Sequence, residues 1–220
     1  MEKTIIKNAH VISPDVDMEN ATIVIEGGKI TNVTAKKVSE KGATTIVDVK
    51  GQYVMPGFID VHTHGALTHD FCDANPEAVF KLAEAKLQEG VTSFLPTTLT
   101  VSTEELKVAA GNARKYAEAG MPYAKIPGIH LEGPFISPKH IGAQPLEYVA
   151  TPSVETFKKY FEDSGKSVKI VSLAPEVEGA DELLSSTKAA EEAFYDLVEE
   201  NKDIVEEVKG GYTNLKPEEI

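Results

Sequence analysis

The stretch GFIDVHTHG, residues 57–65, sets His62 and His64 two positions apart. Alternate side chains of a β-strand share a face, so both imidazoles point the same way, in line with Asp60. Two neutral ring nitrogens converging on one point can hold a divalent ion such as zinc. Without an ion the same pair would be buried and hydrogen-bonded. Gly65 lets the backbone turn away directly afterwards. A second stretch, GIHLEGPF at 128–135, puts His130 and Glu132 on one strand face before a Gly133-Pro134 exit. The Glu132 carboxylate can ligate one metal, bridge two, or accept backbone amides. His130 reads as a packed, hydrogen-bonded neighbour rather than a ligand.

Both stretches serve one site only if their strand ends lie side by side. From Met55 the chain alternates strand, loop and helix. GFIDVHTHG, VTSFLPTTLT, AKIPGIHLEGPF and SVKIVSLAPE are the strand candidates. Between them, helical apolar spacing covers Pro76–Glu89, a stretch carrying Leu106, Ala109, Ala110, Ala113 and Ala117, and VETFKKYFEDSG. Ser102 or Thr103 caps the second helix and Gly120 stops it. This alternation predicts a parallel α/β sheet with its active groups at the C-terminal strand ends. Residues 1–54 read instead as short β-branched strands, with Gly27-Gly28 as a hairpin turn. Residues 183–220 break the rhythm as an acidic tail. Within it Thr187–Val208 is an amphipathic helix with a stripe of Ala190, Phe194, Leu197, Ile204 and Val208.

Weaker candidates surround the strand ends. His69, Asp70 and Cys72 follow the first strand, Thr97 and Thr98 end the second, and Lys139, His140 and Gln144 sit in the loop after Glu132. Glu176 follows the fourth strand, and His10 reads as structural.

Composition narrows the function class. A net charge of −13 argues against nucleic-acid binding, which needs basic surface. No apolar run reaches the ~20 residues of a membrane span, and the N-terminus lacks the pattern of a secretory signal. Cys72 is the single cysteine, so no intrachain disulfide forms and a cytoplasmic setting is expected.

With these stretches in hand, the chain resembles the amidohydrolase superfamily, and within it the N-acetylglucosamine-6-phosphate deacetylases. VMPGFIDVHTHG, TSFLPTTLT, GIHLEGPFISP, GAQPLEY and IVSLAPE carry the likeness, over roughly residues 3–182. It implies an α/β fold: a partial TIM-type barrel over 55–182 with a small β-sandwich portion over 1–54. It implies metal-dependent deacetylation of N-acetylglucosamine 6-phosphate to glucosamine 6-phosphate and acetate, in a homodimeric enzyme when complete. His62, His64 and Glu132 would be the metal ligands, and Gln144 a substrate contact. The ion would be zinc, or iron(II) or manganese(II), one or two per complete site. The family's catalytic aspartate and its two later histidine motifs have no counterpart here, since no histidine follows His140. The 165 residues from Pro56 onward compare with about 250 for an eight-stranded barrel. The chain alone is therefore expected not to sustain deacetylation. A cyclic amidase of dihydroorotase type and a non-catalytic metal-binding fragment are the alternative readings.

Overall fold

A computed structural model describes residues 2–186, and the helix expected over Thr187–Val208 lies outside them. The chain divides into two compact units after Phe58.

The first unit is one sheet. Its strands are β1 (Lys3–Ser13), β2 (Val16–Glu26), β3 (Lys29–Thr34), β4 (Thr45–Asp48) and β5 (Tyr53–Val54). Their order is β3-β2-β1-β4, with β5 also beside β1. β1 runs antiparallel to β2, with Ile5 opposite Val24, and parallel to β4, with Ile5 opposite Ile46. The predicted hairpin joins β2 to β3: Gly27 and Gly28 have φ of 59° and 79°, the positive values that a two-residue turn of matching twist requires. Ala9, Val11, Ala21 and Ile23 form the core on one face. Among the described residues this region is a single layer of sheet. His10 is structural, its Nε2 lying 2.6 Å from Asp17 Oδ1 and its ring stacked near Tyr53.

β6 (Phe58–Thr63) leads into the second unit. There follow the small hairpin β7 (Gly65–Ala66) and β8 (His69–Asp70), then α1 (Pro76–Gln88), β9 (Val91–Pro96), α2 (Thr103–Glu118), β10 (Ile129–Glu132), a short 3-10 turn at Leu146–Tyr148, α3 (Val154–Asp163) and β11 (Val168–Ser172). β6 pairs with β9, and β10 runs parallel to β11. A parallel bridge between Thr97 and His130 links the two pairs. The fold of the described residues is thus mixed α/β, with no closed barrel.

Local chemistry explains the helix boundaries. Asn75 caps α1 by accepting from the Glu77 amide, and Ser102 and Glu105 form a reciprocal capping box on α2. Ser153 caps α3. Each helix then turns its apolar stripe onto the strands. Val79, Leu82, Leu106, Ala110, Phe94, Ile129 and Leu131 all fall in one buried cluster. Tyr116 is fully buried there, and its hydroxyl donates to Ala124 O at 2.9 Å. Because α2 presents Leu106 to this cluster at 0% exposure, Leu106→Ala is expected to cost 2–5 kcal/mol in urea unfolding, within the range for an excised core leucine.

Cys72 lies in the loop between β8 and α1 and is half-buried. Its Sγ accepts from the Leu99 amide at 3.4 Å. Burial, reinforced by the carboxylates of Asp70, Glu105 and Asp73, pushes the thiol from 9.0 up to about 12, against the Leu99 hydrogen bond. The thiolate is the nucleophile, so iodoacetamide at mildly alkaline pH should label the folded chain far more slowly than the urea-unfolded chain. The linkage has a definite sign. The folded thiol holds its proton above the pH at which the unfolded one loses it, so its contribution to stability is complete below pH 9 and declines between 9 and about 12. Denaturation midpoints across that range should fall more steeply for the native sequence than for Cys72→Ala; parallel slopes would contradict this assignment.

Candidate metal centre

Two consecutive threonines organise the strand ends. Thr97 and Thr98 are fully buried just beyond β9. Thr97 faces β6: its amide donates to Thr63 O at 2.7 Å, and its Oγ1 accepts from the Thr63 amide at 3.0 Å. Thr98 faces β10: its amide donates to His130 O at 3.0 Å, and its Oγ1 accepts from the Glu132 amide at 3.2 Å. This double attachment brings β6 and β10 to one place although β9 lies between them.

There His62, His64 and Glu132 converge. One donor atom from each lies within 4.8 Å of the others. Glu132 Oε2 is 3.0 Å from His64 Nε2 and 3.3 Å from His62 Nε2. The imidazole rings stand edge to face, with centroids 5.0 Å apart. His62 is the most open of the three, with half its side chain exposed.

The tautomer of His64 follows from its other nitrogen. Nδ1 lies 3.2 Å from Thr97 O, a carbonyl that can only accept, so the proton sits on Nδ1 and the Nε2 lone pair faces Glu132. A neutral His64 therefore has no proton to give the carboxylate. Consistent with this, Glu132 Oε2 is buried without a hydrogen bond even though two imidazole nitrogens are in contact range. The distances alone suggest ion pairs, but the directions do not make hydrogen bonds, and the geometry of the protons decides the matter. A buried carboxylate oxygen opposed to the His64 lone pair is unfavourable unless a cation lies between them. Donors in tetrahedral zinc sites, with bonds of about 2.1 Å, stand some 3.4 Å apart, close to the two separations seen here. The donor set fits a divalent metal.

The remaining candidates fall into place around this centre. His130 is buried, and both its ring nitrogens are engaged: Nδ1 is 3.1 Å from Val61 O and Nε2 is 2.9 Å from Ser172 Oγ. It is a packed neighbour, and burial lowers its pKa, partly offset by the bond to Val61 O. Asp60 does not join the cluster. It pairs with Lys86 of α1 at 3.2 Å and accepts from the His62 amide at 3.0 Å. Gln144 Oε1 accepts from the Thr100 amide at 2.7 Å, which ties the loop after β10 to the end of β9. Lys139, His140 and Glu176 are exposed. His69 Nδ1 lies 3.9 Å from Asp73 Oδ2, away from the cluster of three.

Two glycines are required here by space. A Cβ on Gly65 would stand 2.1 Å from His69 O, so the residue lets β7 and β8 approach each other. Gly133 has φ of 81°, and a Cβ there would stand 2.0 Å from Thr100 Oγ1. The bonds of His64 to Thr97 O, of His130 to Ser172 and of Asp60 to Lys86 were not read from the sequence.

Comparison with known proteins agrees with this arrangement. The sequence profile of the amidohydrolase family matches residues 53–207. N-acetylglucosamine-6-phosphate deacetylase of Bacillus subtilis (strain 168) is 36% identical over 190 residues, covering 85% of this chain and 48% of the relative. N-acetylgalactosamine-6-phosphate deacetylase of Escherichia coli O157:H7 is 33% identical over 136 residues, 62% of this chain and 36% of the relative. The crystal structure of N-acetylglucosamine-6-phosphate deacetylase from Pasteurella multocida superposes with a TM-score of 0.70 at 26% identity, over 81% of this chain and 46% of that one. The chain spans about half the length of the first two curated relatives it matches. With its His-x-His strand, its Glu132 and a profile match over most of its length, the chain belongs to the amidohydrolase family.

Proposed function

We propose that this chain carries the metal-holding strand ends of a deacetylase for N-acetyl amino-sugar 6-phosphates, with N-acetylglucosamine 6-phosphate as the preferred substrate. The observation that carries the reading is the buried Glu132 Oε2, which makes no hydrogen bond and faces the Nε2 atoms of His62 and His64. The named activities of the Bacillus subtilis and Escherichia coli relatives support the substrate class. In this reading β6, β9, β10 and β11, with the helices between them, are the opening βα units of a TIM-type barrel. The five-stranded sheet is then one layer of the small sandwich.

His62, His64 and Glu132 would hold the ion. Two imidazole nitrogens and one carboxylate oxygen favour zinc, with iron(II) and manganese(II) as alternatives of similar ligand preference. When bound, the metal polarises the amide carbonyl of the N-acetyl group and makes water acidic enough to attack it near neutral pH. The chain's own residues prepare for this. Thr97 O keeps the His64 proton on Nδ1, and the Thr98 hydroxyl fixes the backbone from which Glu132 projects. Gln144 has its amide oxygen occupied by Thr100, so its contact with a substrate would come through the side-chain NH₂.

Equilibrium dialysis against zinc tests the metal assignment. The chain should retain zinc, and both His64→Ala and Glu132→Gln should release it; equal retention by both variants would overturn the assignment. Acetate release from N-acetylglucosamine 6-phosphate by the zinc-loaded chain, abolished by His64→Ala, would overturn the expectation that these residues alone do not sustain deacetylation. Hydrolysis of dihydroorotate instead would favour the cyclic-amidase reading.

A further inference from the structure

His64 has a carbonyl to set its ring, but His62 has none. Among the described residues the His62 ring makes no hydrogen bond; its polar contact is with Glu132. Its backbone, by contrast, is fixed on both sides. The His62 amide donates to Asp60 Oδ1, and the preceding carbonyl, Val61 O, accepts from His130 Nδ1. Asp60 is itself held by Lys86, whose ammonium burial would disfavour but the hydrogen bonds of Glu89 and Asp60 outweigh, raising its pKa.

Besides the His64 ring, the His130 ring contacts His62, edge to face at 5.1 Å between centroids and 76° between planes. His130 belongs to β10, and β9 separates β10 from β6. Its side chain reaches two other strands, Val61 O on β6 and Ser172 Oγ on β11. A carbonyl can only accept, so Nδ1 carries the proton and Nε2 accepts from the Ser172 hydroxyl. This fixes the tautomer and the plane of the ring together.

We infer that His130, oriented by Ser172, is a positioning residue for the metal centre: it sets the backbone and the ring plane of His62, the ligand that lacks an orienting hydrogen bond of its own. The inference rests on the proposed metal site. It concerns a residue that binds no ion itself, and it extends the layer of orienting groups to the far strand β11. Groups that orient metal ligands typically change affinity by about 10–100-fold when removed, which sets the expected scale.

Cobalt(II) titration, followed by the visible absorption of the bound ion, tests this. All measurements are made well below each variant's unfolding midpoint, where a loss of stability alone leaves the affinity of the folded chain unchanged. His130→Ala should weaken cobalt binding by about 10–100-fold. Ser172→Ala, which leaves the His130 ring in place but frees it, should weaken binding less and alter the absorption band. Ser172→Thr restores the hydroxyl and should restore both affinity and band. Cobalt binding by His130→Ala and Ser172→Ala equal to that of the native chain would overturn the inference while leaving the metal site standing. No cobalt binding by the native chain would overturn the metal site, and the inference with it.

Discussion

The site depends on the stitch made by Thr97 and Thr98. Strand pairing alone aligns neighbours, yet the ligands here come from strands that are not neighbours. One threonine secures the end of β6 and the next secures the end of β10, each through its amide and its hydroxyl. Consecutive backbone amides of an extended segment point to opposite flanks, so two in sequence can bond both neighbouring strands where one could not. Full burial removes competition from water for these bonds, which strengthens them and makes leaving any one unmade costly. The closeness of His64 and Glu132 is a consequence of that ladder rather than of any attraction between them. Without a cation, the side chains oppose lone pair to lone pair.

That opposition separates the forces that build the fold from those that build the site. The apolar cluster of α1, α2 and the strands lies beneath the strand ends and owes nothing to the three ligands. It is large enough to hold the strand ends in place while they carry an unfavourable arrangement. Preorganisation of this kind is what a tight metal site needs, because the cost of bringing ligands together is met before the ion arrives. On β6 the polar alternation carries Asp60 and His62, whereas Ile59 and Val61 are 72% and 49% exposed and lie outside the core cluster.

Residue type and spacing made the three candidate ligands stand out in the sequence. Two histidines at a period of two, followed by glycine, admit few structural readings, and Glu132 sits in an equally marked strand exit. The helices were legible for a similar reason, since their caps and apolar stripes are local: of the two cap candidates, Ser102 is the one that opens α2, with Glu105 completing a capping box. What could not be read depends on register between distant segments. Asp60 shares the alternation of His62 and His64, yet Lys86 reaches it from the last turn of α1 and takes it out of the cluster. Gly65 was read as freedom to turn, but its φ is ordinary and the close approach of His69 O is what excludes a side chain. Residues 1–54 form a single sheet, and the alternation of its half-buried strands shows that one face is covered but not by what.

His130 shows why orienting groups escape a reading by motif. The sequence favours a packed neighbour two residues before Glu132, but it does not show which groups hold the ring. The distinction from a ligand lies in what each nitrogen faces. A ligand needs one nitrogen free to present a lone pair, as His64 has once Thr97 O takes its Nδ1 proton. His130 spends both nitrogens on Val61 O and Ser172 Oγ, so no lone pair remains for an ion. The difference between ligand and support is therefore set by acceptors on two other strands, and only the assembled strand ends contain it.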